Sequence, residues 1–174
     1  NEKEIAKLNM SYRVIAPLAT GSPALAVSFY SAQKFSAAAL NELQGLKEQV
    51  VTLNLSKMPV RDEDLTAIAS FKNLRKLNVS FTNITGANLS ILNSLTELRQ
   101  LSLSGTGVTW QDVQKLVALP RLSRLYLWNT AVHPDELAKA SSMYKSIRFE
   151  GGYQGDTVVL KLNPPVLENE EQIV

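Results

Sequence analysis

One feature limits this chain more than any other: its apolar residues return every 24 positions. Leu74, Leu98 and Leu122 are in step, as are Leu77, Leu101 and Leu125, and Val79, Leu103 and Leu127. Ile84, Val108 and Val132 follow, then Leu89, Val113 and Leu137, then Leu92, Leu116 and Ala140, then Leu95, Leu119 and Met143. One step back, Val50, Leu53, Leu55, Val60, Leu65, Ile68 and Phe71 hold the same register. Four full units therefore run from Val50 to Lys145, each reading LxxLxLxxTxV followed by LxxLxxL. Such a chain cannot fold as one irregular globule, because each unit exposes an apolar strip that only its neighbour can cover.

Within a unit, LxL is period-two alternation. Leu77 and Val79 face one way, and Lys76, Asn78 and Ser80 the other. LxxLxxL has the spacing of one face of a short helix. One strand and one short helix per unit, stacked in parallel, merge their apolar faces into a continuous core. This motif resembles the leucine-rich repeats of the bacterial type, with Thr where many members carry Asn or Cys. The resemblance covers about two thirds of the chain. It implies an α/β fold, a right-handed leucine-rich repeat solenoid with a parallel sheet on the concave face and short helices on the convex face.

Helix starts carry their own signals. Thr85 and Thr109 precede the apolar helix residues and are expected to accept from first-turn N–H groups. Thr109 and Asp112 have capping-box spacing. His133, the only histidine, precedes Pro134, which suits a first helical position, and Asp135 and Glu136 suit the positive helix end. Asp62, Glu63 and Asp64 read as capping charges of the same kind. Thr82, Thr106 and Thr130, with Met58 in the first unit, stand where the chain turns inward. There a short hydroxyl serves partly buried backbone groups. No base is spaced to make any of them a nucleophile. Trp110 reads as a surface residue lying along the outer edge.

The ends are irregular, as the ends of a solenoid must be. Residues 1–49 form an N-terminal cap and degenerate repeat: a helix over Glu2–Met10, a strand over Arg13–Leu18, a turn at Gly21-Ser22-Pro23 and a strand at Leu25, Val27 and Phe29. Leu40, Leu43 and Leu46 supply one more LxxLxxL. Residues 146–163 are expected to be a C-terminal cap, with Ile147 and Phe149 on a last strand and an alternating segment at Asp156–Leu162. The repeat domain thus spans 1–163. Residues 164–174, opening on Pro164-Pro165 and continuing through an acidic stretch, read as a linker to a further domain. The chain reads as a piece of something longer.

A narrower resemblance rests on Leu25–Phe29, Gly45–Val50, Leu125-Tyr126-Leu127-Trp128-Asn129-Thr130 and Lys161-Leu162-Asn163-Pro164-Pro165. These runs are similar to the repeat region of large bacterial membrane proteins that carry a c-type cytochrome domain. That resemblance implies a periplasmic or otherwise extracytoplasmic location. With no cysteine in the chain, no haem attachment lies within it, and no cofactor or metal is expected. A formal charge of +2 gives no case for nucleic acid, and no apolar run is long enough to insert in a membrane.

Function has to come from the open face of the sheet. Its first column holds Thr52, Lys76, Gln100, Arg124 and Arg148. The second holds Asn54, Asn78, Ser102, Tyr126 and Glu150, and the third Ser56, Ser80, Ser104, Trp128 and Gly152. Arg124, Tyr126 and Trp128, with Gln100, Arg148 and Lys76 alongside, form the partner-binding candidate, because aromatics with arginine dominate protein interfaces. Three readings of the aromatics stay open: a patch for a partner, surface covered by the C-terminal tail, or plain exposure, which is common for isolated aromatics. The chain accordingly reads as a non-catalytic protein-binding or scaffolding module of a larger cell-envelope protein, not an enzyme, with a protein partner favoured over a glycan. The alternative is a structural spacer in a multidomain electron-transfer or carbohydrate-processing protein.

Overall fold

The computed structural model describes residues 2–152. The expected segment Asp156–Leu162 and the linker from Pro164 lie outside them. The helix α1 (Glu2–Leu8) leads into a seven-stranded sheet in strict sequence order. Its strands are β1 (Arg13–Pro17), β2 (Leu25–Phe29), β3 (Val50–Asn54), β4 (Lys76–Asn78), β5 (Gln100–Ser102), β6 (Arg124–Tyr126) and β7 (Arg148–Glu150). β1 and β2 form an antiparallel hairpin, and every later pair is parallel. Parallel neighbours in sequence order require a return segment between them, and each LxxLxxL half is that return.

The register is the repeat period. Thr52 pairs with Lys76, Lys76 with Gln100, Gln100 with Arg124 and Arg124 with Arg148. Leu77, Leu101 and Leu125 are fully buried in one row, whereas Lys76 and Arg124 are exposed and Gln100 is half-buried. β2 pairs with β3 one residue out of step: Leu25 faces Val50, then Ala26 faces Thr52, across an irregularity in the pairing. The result is a leucine-rich repeat-like fold, a parallel sheet backed by short helices.

The returns are α2 (Ala37–Asn41), α3 (Leu65–Ile68), a 3-10 helix at Leu89–Ser94, α4 (Trp110–Val113) and α5 (Pro134–Met143). Short 3-10 segments extend several of them. This geometry explains the strict three-residue spacing, since side chains three apart eclipse in a 3-10 helix. Leu89, Leu92 and Leu95 are all buried on that basis. The fourth unit breaks the column. Its ten-residue α5 is a true α-helix, and three-residue steps drift by about 60° in that geometry. Ala140 alone is fully buried there, Leu137 is half-buried and Met143 is exposed, although Met143 shares its column with the buried Leu95 and Leu119.

Capping follows the expectation in part. His133 accepts from the Asp135 N–H at 3.3 Å, the Glu136 carboxylate accepts from the His133 N–H at 2.8 Å, and Pro134 opens the helix. At Thr109 the carboxylate half of the capping box is present: Asp112 accepts from both the Thr109 N–H, at 3.0 Å, and its hydroxyl, at 2.6 Å. The threonine hydroxyls thus donate rather than accept. Thr85 does the same across repeats, giving its N–H at 3.0 Å and its hydroxyl at 2.7 Å to Asp62, which also accepts from the Gly86 N–H. Asp62 is therefore a staple to the next repeat, and Asp64, accepting from the Arg61 N–H, does the capping. Burial works against ionisation of Asp62. The hydrogen bonds from the Thr85 hydroxyl and from the backbone of Thr85, Gly86 and Asn88 outweigh it and hold its pKa below the usual value.

The inward turns behave as the threonine column requires. Thr82, Thr106 and Thr130 each donate to the carbonyl three residues back, on Val79, Leu103 and Leu127, at 2.7, 2.5 and 2.8 Å. Met58 fills the equivalent place in the first unit as a buried apolar side chain.

Candidate interaction surface

Period-two alternation puts Thr52, Lys76, Gln100, Arg124 and Arg148 in one row and Asn54, Asn78, Ser102, Tyr126 and Glu150 in the next, on the solvent side of the sheet. Rows on adjacent strands lie about 4.8 Å apart. A groove of about 360 Å³ runs over this face, with Lys76, Gln100, Asn54, Asn78, Ser102 and Tyr126 among its lining residues. The structure thus brings Lys76, Gln100 and Tyr126 together in the groove, and the register sets Arg124 beside Gln100. Arg148 is less available: its Nε is bonded to the Glu150 carboxylate at 2.5 Å, so its charge is already matched on its own strand.

The third row departs from the expectation. The strands end at Asn78, Ser102 and Tyr126, so the positions two further on belong to turns. Ser80 and Ser104 are buried there rather than presented to solvent. The Ser80 hydroxyl meets that of Ser102 at 2.6 Å. Trp128, equivalent in sequence, is 50% exposed. The difference lies in size. A serine fits beneath the turn of the next repeat, whereas an indole has to lie over it.

The turn itself repeats. Lys57, Phe81, Gly105 and Asn129, each 24 residues apart, all adopt positive φ, at 63°, 57°, 68° and 54°. This conformation aims the N–H groups of Lys57, Phe81 and Gly105 at the carbonyls of Ser80, Ser104 and Trp128 in the next repeat, each at 2.8 Å. Gly105 adopts it without cost and Asn129 at small cost, but a bulky Phe81 pays for it. Gly105 has a second role. A Cβ there would collide with the Phe81 ring, which lies over its backbone. Phe81 is 43% exposed and meets Trp128 edge-on, with ring centroids 5.8 Å apart. The aromatic surface therefore comprises Phe81 and Trp128 at the ends of the strands, next to Tyr126 in the groove. Alternation does not reveal Phe81, which falls outside the alternating strand positions. The signal available was an aromatic in a column otherwise holding Lys, Gly and Asn.

Trp110 is packed at the outer edge, as expected. It is half-buried and contacts Tyr144 and Phe149, at centroid distances of 6.4 and 6.0 Å. Two groups on the sheet face gain a meaning the sequence does not show. The side-chain carbonyls of Asn54 and Asn78 accept from the Ser56 and Ser80 N–H groups, at 3.1 and 3.0 Å. This fixes both amides, leaving the NH₂ ends for the groove. Among the described residues, no cluster of His, Cys, Asp and Glu is placed to hold a metal ion, and no helix is long and apolar enough to cross a membrane.

No family model and no curated protein matches the chain. Among solved structures, the chain is similar to an internalin C2 from Listeria monocytogenes, at 22% identity over 56% of this chain, with a TM-score of 0.46. It is also similar to an internalin (inlF) from the same organism, at 16% identity over 66% of this chain, with a TM-score of 0.43. It spans 40% and 38% of the lengths of those two chains.

Proposed function

We propose that this chain is a non-catalytic protein-binding or scaffolding module that takes its partner on the open face of the sheet. The observation that carries the reading is the in-register row Lys76, Gln100 and Arg124, with Tyr126 beside it, on a grooved solvent-facing surface. Arginine and aromatic side chains on a rigid sheet supply interaction energy at little ordering cost. The reading extends to a right-handed repeat domain over residues 1–163, concave on its sheet side, with 164–174 as a linker. It also extends to a place in a larger protein of the cell envelope, outside the cytoplasm. The resemblance to the repeat region of large bacterial membrane proteins with a c-type cytochrome domain supports that setting, and the right-handed rule for parallel crossovers supports the sense of the coil. A protein is favoured over a glycan as partner because Phe81 and Trp128 meet at 66°, not as the flat platform a sugar ring stacks on.

The test is affinity capture from envelope extracts of the source organism, comparing the unmodified chain with the triple variant Arg124→Ala, Tyr126→Ala and Trp128→Ala. A control variant carries Lys139→Ala and Ser142→Ala on the exposed side of α5. We expect a defined set of proteins to be retained by the control and lost by the triple variant. Equal capture by all three would sink the reading and leave a structural spacer as the better account.

A further inference from the structure

We propose that the groove on the sheet face binds an acidic, extended segment of a partner protein. This inference rests on the binding role argued above and names the chemistry of the partner.

The face is rich in donors and poor in acceptors. Asn54 and Asn78 stand on adjacent strands in direct register. Both have their carbonyl ends occupied by the chain's own N–H groups, so both offer NH₂ to the groove. Lys76 and Gln100 stand beside them as further donors. The Ser102 hydroxyl is engaged with Ser80. Lys76 and Arg124 are exposed, two strands apart in the same row, and neither has a carboxylate within ion-pair distance among the described residues. The Glu150 carboxylate, in the same row as Tyr126, is engaged with Arg148.

A site of fixed NH₂ donors and unmatched cations is complementary to carboxylates. Acidic side chains would satisfy both groups of donors at once, whereas a neutral chain would satisfy only the amides. The shape argues for an extended ligand. The two rows stand two residues apart along each strand, about 7 Å, which is the separation of alternate side chains on one face of an extended peptide lying along the strands. Tyr126 gives the groove an aromatic wall at one end.

The experiment uses the full chain and a capped decapeptide of alternating Glu and Thr. The matched Gln–Thr and Lys–Thr peptides are controls. Affinity is read by fluorescence anisotropy at low and physiological salt, and location by backbone amide shifts. We expect the Glu peptide to bind best, more weakly as salt rises, with shifts centred on Thr52–Asn54, Lys76–Asn78 and Gln100–Ser102. The double change Lys76→Glu and Arg124→Glu should weaken it at least about tenfold, equal to about 1.4 kcal/mol. Asn78→Asp is the sharper variant. It keeps the oxygen that accepts from Ser80, so the turn is preserved, but replaces a donor facing the groove with an acceptor, and binding should fall several-fold. Equal affinity for the Gln peptide, an indifferent N78D, or shifts confined to the helical side would overturn the proposal. So would a gain in affinity on changing Glu168, Glu170 and Glu171 to Gln, which would assign the groove to the chain's own acidic run. If these results fail while the triple variant still loses its captured proteins, the acidic chemistry is wrong and the binding role stands.

Discussion

The two ends of the repeat stack are finished in different ways. At the N-terminal end, β1 turns back antiparallel on β2, so the outer edge of the first parallel strand is satisfied by backbone hydrogen bonds. Arg13 of β1 is 0% exposed. Its Nε donates to the Leu8 carbonyl, and its Nη1 to the Ala39 carbonyl and the Glu42 carboxylate, each at 2.9 Å. One guanidinium therefore ties α1, β1, α2 and the 3-10 helix Glu42–Leu46 together. The rings of Phe29 and Phe35 meet edge-on at 5.3 Å beside it. At the other end, the core row Leu77, Leu101 and Leu125 finishes in Phe149, which is only half-buried and is covered from the helical side by Trp110 and Tyr144. Among the described residues β7 pairs with β6 alone. Among the described residues, one end is closed by backbone and a buried charge, and the other is backed by aromatic side chains. A buried charge is intolerant of change because it holds several acceptors at once, whereas half-exposed rings lose only area when trimmed.

That contrast sets an order of sensitivity. The middle of the stack is the reference, and Leu101→Ala there should cost about 2–5 kcal/mol by urea denaturation, from lost transfer energy plus the cavity. Arg13→Ala should come close to it, at about 2–4 kcal/mol. The buried Ala39 carbonyl and the partly buried Leu8 carbonyl lose their donor, while the Glu42 carboxylate, 48% exposed, can turn to water. Arg13→Lys should recover little of this, because an ammonium cannot span the same acceptors. Phe149→Ala should cost less, about 1–2 kcal/mol, since only part of its surface is removed from water. If Phe149→Ala proves as damaging as Leu101→Ala, the C-terminal end is as tightly closed as the middle and the comparison fails.

The smallest expected effect depends on pH. The folded-state pKa of Asp62 is depressed, so its carboxylate contributes stability that is fully present above its unfolded value. That contribution is lost as pH falls below the ordinary carboxylate range and through the depressed folded value. Asp112 is held down in the same direction. Burial opposes this shift, but the hydrogen bonds from the Thr109 hydroxyl and backbone and the nearby Lys115 outweigh it. Unfolding free energies from urea denaturation between pH 7 and pH 3 should therefore fall less steeply in Asp62→Asn than in the parent chain, by under about 1 kcal/mol at a partly exposed site. A variant that tracks the parent at every pH would show that the staple between the first two repeats is energetically neutral.

Much of this architecture is legible in the residues. The strand register follows from the step of 24, because one apolar side chain per strand has to stack on its equivalent in the next unit. The threonine column and the His133-Pro134 helix start are legible for a similar reason, since each solves a local backbone problem within a few residues. Arg13 is not, because its acceptors Ala39 and Glu42 lie 26 and 29 residues away. Asp62 is not either, because its partner Thr85 belongs to the next repeat.

On the candidate surface the division is finer. Alternation places Lys76, Gln100, Arg124 and Tyr126 on one face, and the structure assembles them there in register. Alternation fails two residues later, where each chain leaves the strand through a turn of positive φ. Ser80 and Ser104 sink under that turn, and Phe81 and Trp128 are pushed out over it.

By itself the sequence determined the number of units, their register and the inward rows, because a repeated apolar pattern has one stacking that buries every copy. Only the tertiary structure decided which polar ends are free. The Asn54 and Asn78 amides become donors to the groove because two backbone N–H groups claim their oxygens. Arg148 is subtracted from the basic row because Glu150 reaches it first. Such hydrogen bonds depend on tenths of an ångström and on which groups are already taken, and a residue pattern does not encode either.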